Sequence, residues 1–80
     1  MRVTVTIDRR PEIADPEGTT VKRALHDLGF TETEEVRMDR VIHLEVAGDD
    51  PETVRRRVEE MCRQLLANPV LEDFSVEVQP

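Results

Sequence analysis

The order of hydrophobic periodicities along the chain is the feature that most constrains its fold. Apolar residues alternate with polar ones in residues 3–7, 36–46 and 74–78, as in half-buried strands. Between these stretches, residues 21–28 and 54–65 carry apolar residues at helical spacing. The middle alternating stretch divides into two strands, so the order is β-α-β-β-α-β. This order predicts an α+β fold of ferredoxin-like type, with a four-stranded antiparallel sheet and two helices on one face.

Both helices begin with the same local chemistry. Asp15-Pro16-Glu17 and Asp50-Pro51-Glu52 each provide an aspartate cap and a proline in the first turn. The first apolar stripe consists of Val21, Ala24, Leu25 and Leu28. The second consists of Val54, Val58, Met61, Cys62 and Leu65. Gly29 predicts the end of the first helix, and the second ends near Ala67-Asn68 because Pro69 disfavours helix in the residue before it.

The parity of the two middle strands predicts how they are connected. If Val36 and Met38 share the core face with Ile42, Met38 lies opposite Ile42. A two-residue turn would pair Met38 with Val41 and turn one strand inside out. We therefore expect a three-residue connection, Asp39-Arg40-Val41, or a bulge.

Length and composition exclude several classes of protein. Eighty residues predict a single domain, 1–80, too small to bury much surface unaided, and one cysteine excludes an internal disulfide. Oligomerisation is then the expected source of further buried area. A net charge of −7 and only two aromatic residues disfavour nucleic-acid binding. No apolar run is long enough to span a membrane and no signal-peptide pattern opens the chain, so we expect a soluble, cytoplasmic protein.

The residues that could carry chemistry have simpler structural interpretations. Cys62 falls on the apolar stripe of the second helix, which indicates an inert core thiol. Arg55-Arg56-Arg57 lies close to glutamates and indicates a salt-bridged helix surface. His43 alternates with core residues and is expected on the opposite sheet face, where His43 and Arg37 become candidate interface residues if an oligomer covers that face. No catalytic, cofactor-binding or metal-binding residue is predicted.

Four segments carry a resemblance to a known family. Residues 61–74, which include Leu65-Leu66-Ala67-Asn68, resemble the helix end and final strand of the PurS family. Residues 15–18 resemble that family's Asp-Pro-Gln-Gly turn, and residues 24–30 resemble the helix end that follows it. Val36-Arg37-Met38 is similar to the family's Val-Arg pair before a hairpin. The chain departs from the family at Asp39-Arg40, where Gly-Lys is usual, which puts the geometry of that turn in question.

The resemblance implies an accessory role in phosphoribosylformylglycinamidine (FGAM) synthase, an enzyme of purine biosynthesis. PurS proteins form homodimers or tetramers, in some cases with exchanged strands, and join a glutaminase subunit, PurQ, to a synthetase subunit, PurL. The complex converts formylglycinamide ribonucleotide (FGAR), glutamine and ATP into FGAM, glutamate, ADP and phosphate. Ammonia passes between the two active sites. No cofactor is expected in this chain, and ATP and magnesium are expected in the large partner subunit.

Contacts with partner proteins are expected at eight positions. Candidate interface residues are Asp15, Pro16, Gly18, Arg37, Arg40, His43, Asn68 and Pro69. Each of them also has a structural explanation, as a cap, a turn, a charge on the sheet surface or a helix stop. For Pro16, Gly18 and Pro69 the structural explanation is the stronger one. For self-association, the closing strand 74–78 and the predicted hairpin offer unpaired sheet edges, so oligomerisation is expected to extend the sheet.

Two other functions remain as alternatives. A ferredoxin-like regulatory dimer that binds a small ligand would need a glycine-rich loop near residues 9–16, and Arg9-Arg10-Pro11 does not supply one. An acylphosphatase-like enzyme would need an anion-binding arginine loop with an asparagine that positions water. Arg9 and Arg10 are weakly compatible with that, and Asn68 is the only asparagine.

Overall fold

The computed structural model describes residues 1–80 and contains three strands, two α-helices and one π-helical turn. In chain order these elements are β1 (Arg2–Arg9), α1 (Pro16–Asp27), β2 (Arg40–Glu45), α2 (Pro51–Met61), the π-helical turn (Cys62–Leu66) and β3 (Glu72–Gln79). The strands form one antiparallel sheet in the order β2-β1-β3. The predicted α+β class is confirmed, whereas the sheet has three strands and not four.

The core lies between one face of the sheet and α2. Val3, Val5 and Ile7 of the central strand are fully buried, and Val54 and Val58 of α2 pack against them. The flanking strands add half-buried apolar side chains on the same face: Ile42, Leu44, Phe74, Val76 and Val78. Alternation in β1 thus produces one covered face and one open, polar face, as the sequence predicts.

The predicted strand at Val36-Arg37-Met38 is absent. Residues 34–39 adopt no regular secondary structure, and β2 begins at Arg40, one of the residues expected to form the hairpin turn. Neither Val36 nor Met38 packs against the core. A tight turn at Asp39-Arg40 would require a positive φ, and no residue other than glycine has one in this chain. The expected three-residue connection is therefore wrong for the single chain.

Helix α1 forms where the sequence predicts it, but it does not contribute to the core. Asp15 caps its N-terminus, and Gly29, with a φ of 102°, ends it with a hydrogen bond from the Phe30 amide to the Leu25 carbonyl. Its predicted apolar stripe belongs to no buried cluster, and Leu28 is 74% exposed. The helix thus projects an apolar surface that the monomer leaves uncovered.

The π-helical turn changes which residues of the second stripe are buried. The Ala67 amide donates to the Cys62 carbonyl, five residues back, which adds one residue to the last turn. Cys62 is buried as predicted, but the next buried positions are Leu66, in part, and Ala67, while Leu65 points outward and is 83% exposed. The helical stop before Asn68-Pro69 is confirmed. No helix combines the length and apolarity that crossing a membrane would need.

This change yields a test of the second stripe. We expect Val58→Ala to lower the free energy of unfolding by about 2 kcal/mol, because it removes two buried methyl groups and leaves a cavity. We expect Leu65→Ala to change it by less than about 0.5 kcal/mol, because this side chain is exposed. Urea denaturation at one fixed protein concentration measures both. A larger loss for Leu65→Ala would contradict the π-helical turn.

Candidate partner-binding surfaces

Asp15 lies at the centre of a junction between the start of α1 and the irregular segment before β2. One carboxylate oxygen, Oδ1, accepts a hydrogen bond from the Gly18 amide at 3.0 Å. The other, Oδ2, accepts one from the Met38 amide at 2.7 Å. Asp15 is 7% exposed, so both oxygens are engaged within the chain. Its carboxylate holds the chain together here and is not free to contact a partner.

The amide hydrogen bonds change the acidity of Asp15. The Met38 amide, and then the Gly18 amide, stabilise the ionised carboxylate and lower its pKa below the ordinary value of 3.8. Desolvation acts in the opposite direction, and the nearby Arg37 and Arg9 lower the pKa further. A negative charge therefore persists in this junction to low pH.

Gly18 is required at the junction by close packing. A Cβ atom at this position would lie 2.3 Å from the Val36 carbonyl oxygen and 2.9 Å from Asp15 Oδ2. Contacts that short do not occur, so a side chain would push the segment away from α1. Gly18 thus allows the Val36 backbone to approach the helix.

Arg37 ties the same segment to the end of β1. Its Nη2 donates to the carbonyl oxygens of Arg9 and Arg10, each at 3.3 Å, and the side chain is half-buried. Asp15, Gly18 and Arg37 therefore belong to one cluster. We call it the arm junction, where the arm is α1 together with residues 28–39. Pro16 adjoins it as an exposed first helical residue.

Arg40 and Asn68 meet in a second cluster, through Glu72. Arg40 Nη2 donates to both carboxylate oxygens of Glu72, at 2.8 and 2.9 Å. The backbone amide of Asn68 donates to Glu72 Oε1 at 2.8 Å. This hydrogen bond is the main cause of the lowered pKa of the Glu72 carboxyl group, and Arg40 contributes less. The Glu72 side chain is only 14% exposed, so this pair is better shielded than the other ion pairs of the chain.

Asn68 and Pro69 build the turn that enters β3. Asn68 Oδ1 accepts a hydrogen bond from the Val70 amide at 3.0 Å, and the Asn68 carbonyl accepts from the Glu72 amide at 2.8 Å. The Pro69 carbonyl accepts from Arg10 Nη2 at 2.7 Å. The turn is exposed, and the Val70 side chain on it is 71% exposed. A fixed turn with an apolar tip is a suitable surface for a partner protein.

His43 lies apart from both clusters. It is exposed on the open face of the sheet, beside Thr4 of the central strand, as the alternation predicts. A shallow polar groove of about 560 Å³ runs over this part of the face, lined by Arg2, Thr4, His43, Glu45 and Gln79. The structure therefore does not bring all eight candidate residues into one site.

Residues 2–80 match the family model described as PurS, phosphoribosylformylglycinamidine (FGAM) synthase. The chain belongs to the PurS family. It is 41% identical over 78 residues to the PurS subunit of FGAM synthase from Methanocaldococcus jannaschii, covering 98% of this chain and 94% of that protein. It is 35% identical over 78 residues to the Bacillus subtilis PurS subunit, covering 98% and 92% of the two chains.

Solved PurS structures share the fold. The crystal structure of Methanocaldococcus jannaschii PurS superposes with a TM-score of 0.88 at 40% identity, covering 98% of this chain and 94% of that one. A chain in the structure of PurLQS from Thermotoga maritima superposes with a TM-score of 0.87 at 30% identity, covering 95% and 93%. The chain therefore matches solved PurS structures over nearly its whole length.

Two long-range contacts in this PurS-family chain were not predicted from the sequence. Glu72 joins Arg40 to Asn68, and Arg55, assigned from sequence to a salt-bridged helix surface, reaches the edge of the sheet. Its Nη1 donates to the Val76 carbonyl oxygen at 2.6 Å. The Arg40–Glu72 and Arg55–Val76 contacts each join residues more than 20 positions apart, and no local pattern reveals such pairs.

Other candidate chemical groups are engaged within the fold. Cys62 is fully buried, and burial raises the pKa of its thiol. His26 Nε2 lies 2.7 Å from the Thr33 carbonyl oxygen. No group of three or more His, Cys, Asp or Glu side chains is arranged to hold a metal ion.

Close packing at Gly18 gives a first prediction for the arm junction. We expect Gly18→Ala to lower the free energy of unfolding by about 1–3 kcal/mol, because the added Cβ overlaps a backbone carbonyl. The control is Arg23→Ala on the exposed part of α1, where the change should stay below about 0.5 kcal/mol. Equal effects of the two substitutions in thermal or urea unfolding would contradict the close approach of Val36.

A second prediction concerns acid stability. Because the folded state lowers the pKa of Asp15, its stabilising contribution is complete above pH 3.8 and disappears as pH falls through the lowered value. We therefore expect Asp15→Asn to reduce the loss of stability below pH 4, whereas Asp49→Asn, at an exposed position without hydrogen bonds, retains the wild-type loss. Urea midpoints from pH 2.5 to 7, in steps of about half a unit, compare the three proteins. Identical profiles for all three would contradict the assignment.

Proposed function

We propose that this chain is the small, non-catalytic subunit of FGAM synthase and that it holds the glutaminase PurQ and the synthetase PurL in one complex. The observation that carries the proposal is the match of residues 2–80 to the PurS family, together with the likeness to a chain of the Thermotoga maritima PurLQS structure. A cytoplasmic location accords with this biosynthetic role.

The chemistry of the complex explains why a subunit without an active site is useful. Glutamine is hydrolysed at one site, and the ammonia released must react at a second site with FGAR activated by ATP. Ammonia that escapes into water is diluted and protonated. A bridge that fixes the two sites relative to one another raises the effective concentration of ammonia at the second site. We place ATP and magnesium in PurL, and no cofactor in this chain.

The shape of the monomer supports self-association. Its radius of gyration is 16.1 Å, against about 12 Å for a compact domain of 80 residues, and its principal extents are 50 × 25 × 14 Å. We infer that the working form is a homodimer or tetramer, in which the fourth strand of the ferredoxin-like sheet is completed. Oligomerisation also supplies the buried area that the small core lacks.

Two surfaces are the proposed contacts with PurL and PurQ. The first is the turn Asn68–Leu71, held by Glu72 and Arg10, with Val70 exposed at its tip. The second is the exposed start of α1 at Pro16, next to the arm junction. Both are fixed by hydrogen bonds within the chain, so little conformational entropy is lost when a partner binds.

Reconstitution with purified PurL and PurQ tests the bridging role. We expect glutamine-dependent FGAM synthesis only when this chain is present. With ammonium chloride in place of glutamine, PurL should form FGAM whether or not the chain is added, because free ammonia needs no transfer between subunits. Equal glutamine-dependent rates without the chain would overturn the proposal.

A matched variant separates bridging from catalysis. Cys62→Ala removes the single thiol of the chain, and we expect it to support the wild-type glutamine-dependent rate once the complex is saturated with it. A complex that loses activity while retaining its assembly by size-exclusion chromatography would instead give this chain a chemical role.

A further inference from the structure

The stretch from Gln64 to Leu71 is the longest part of the chain without a charged side chain. Elsewhere no more than five consecutive residues are uncharged, and 36% of all residues carry a charge. Core packing explains the members of the stretch that are buried or half-buried, which are Leu66, Ala67 and Leu71. It does not explain Leu65 and Val70, which are 83% and 71% exposed. The chain thus exposes apolar side chains where surface charge is absent.

The π-helical turn is responsible for the exposure of Leu65. Because the Ala67 amide bonds to the Cys62 carbonyl, one additional residue enters the last turn, and Leu66 and Ala67 take the inward positions. Leu65 is left on the surface with Met61, which lies four residues earlier and is 37% exposed. π-helical turns occur frequently at functional sites. This one converts a position of the predicted apolar stripe into an exposed leucine.

The turn that follows has no backbone amide left for a partner. The Asn68 amide donates to Glu72 Oε1, and the Val70 amide donates to Asn68 Oδ1. The Leu71 amide donates to the Asn68 carbonyl oxygen. Pro69 has no N–H group, and its carbonyl oxygen also accepts a hydrogen bond within the chain. Burial of this turn against another protein would therefore leave no backbone donor unsatisfied, which removes the usual penalty for burying a loop.

We propose that Met61, Leu65 and Val70 are the centre of the contact with the synthetase PurL and enter an apolar cleft on that subunit. We call these three residues the apolar contact. Depletion of charge at the centre is the compositional feature that distinguishes protein–protein interfaces from other surfaces. The inference rests on the proposed bridging function and specifies one of its two contacts.

The apolar contact is small enough to lie within one interface. Leu65 and Val70 are five positions apart, so their Cα atoms are separated by at most about 18 Å. A standard interface covers about 800 Å² on each partner, a patch roughly 30 Å across. One partner can therefore cover both side chains at once.

The proposed homo-oligomer leaves the apolar contact open. The strands of the sheet lie in the order β2-β1-β3, and the fourth strand of a ferredoxin-like sheet would be added beyond β2. The apolar contact precedes β3, and the Arg10 amide donates to the Leu71 carbonyl oxygen at 3.0 Å, which holds the turn at the β3 side. Helix α2 also lies nearer β3 than β2. Copies joined beyond β2 thus present their apolar contacts at the opposite edge of the sheet.

The shape of the apolar contact favours PurL over PurQ. Val70 projects from a tight turn and Leu65 from the end of a helix, so this surface is convex and fits a concave one. Concave, mostly apolar sites form preferentially between domains, and long chains divide into several domains. PurL is the large subunit of the complex, so we expect it to provide such a cleft.

Photo-crosslinking in the assembled complex identifies the subunit that covers the apolar contact. The photoreactive residue p-benzoylphenylalanine replaces Val70 or, in a second variant, the exposed Gln64 beside Leu65. After irradiation with PurL and PurQ present, we expect adducts with PurL, identified by mass spectrometry. The same replacement of Gln79, exposed at the end of β3, is the control and should give no adduct. Adducts with PurQ or with a second copy of this chain would overturn the proposal, as would the absence of any adduct from both variants.

A titration separates binding from catalysis. The rate of glutamine-dependent FGAM synthesis is measured at fixed PurL and PurQ against the concentration of wild type, Leu65→Glu, Val70→Glu or Gln79→Glu. For Leu65→Glu and Val70→Glu we expect the half-saturating concentration to rise at least about 10-fold, because binding would bury an unpaired charge. The rate at saturation should not change. Gln79→Glu adds the same charge outside the apolar contact and should keep the wild-type half-saturating concentration.

The outcomes distinguish this contact from the bridging function. Since Leu65 and Val70 are exposed, both variants should keep the urea midpoint and the sedimentation coefficient of wild type. Equal half-saturating concentrations for all four proteins would overturn the contact and leave the bridging function intact. A lower rate at saturation with an unchanged half-saturating concentration would also overturn the contact. If wild type itself added no glutamine-dependent activity, the bridging function would fail.

Discussion

The carboxylate of Asp15 holds two distant parts of the backbone against each other. It accepts hydrogen bonds from the first turn of α1 and from the Met38 amide, and Gly18 lets the Val36 carbonyl pack against that turn. Arg37 then joins the same segment to the end of β1. Because these contacts orient α1 away from the sheet's core face, the elongated shape of the monomer depends on them. Removal of the carboxylate would leave two amides without their partner and would free the arm to move.

Local chemistry explains the parts of the fold that the sequence predicts correctly. The alternation of Val3, Val5 and Ile7 gives the buried central strand, and Asp-Pro-Glu marks both helix starts within one residue. The stripe of α2 identifies Val54, Val58 and Cys62 as core. These features depend on residues a few positions apart, so a single sequence is sufficient to specify them.

The predictions that fail concern structural features that interactions between neighbouring residues do not determine. A chain in which apolar and polar residues alternate on both sides of Asp39-Arg40 can form a hairpin there, or it can continue as one extended segment beyond the end of the neighbouring strand. The same alternation fits both arrangements. The lack of glycine there was the one local indication against a tight turn. The shift from Leu65 to Leu66 and Ala67 depends on one additional residue in the last turn of a helix, which leaves the apolar stripe unchanged in sequence. The Arg40–Glu72 ion pair depends on strand register, and the Arg55–Val76 hydrogen bond depends on where α2 lies on the sheet. The sequence alone revealed neither.

The candidate partner-binding residues illustrate how a family resemblance is to be interpreted. Family likeness directed attention to Asp15, Gly18 and Asn68, but all three use their polar groups or their small size to fix the backbone of this chain. A bridge transmits the position of one partner to another, and it does so only if its own segments cannot move relative to each other. Residues that hold the arm and the Asn68 turn in place are therefore as necessary for bridging as residues that touch a partner. We expect contacts with a partner at their neighbours Pro16 and Val70, which the fold leaves exposed.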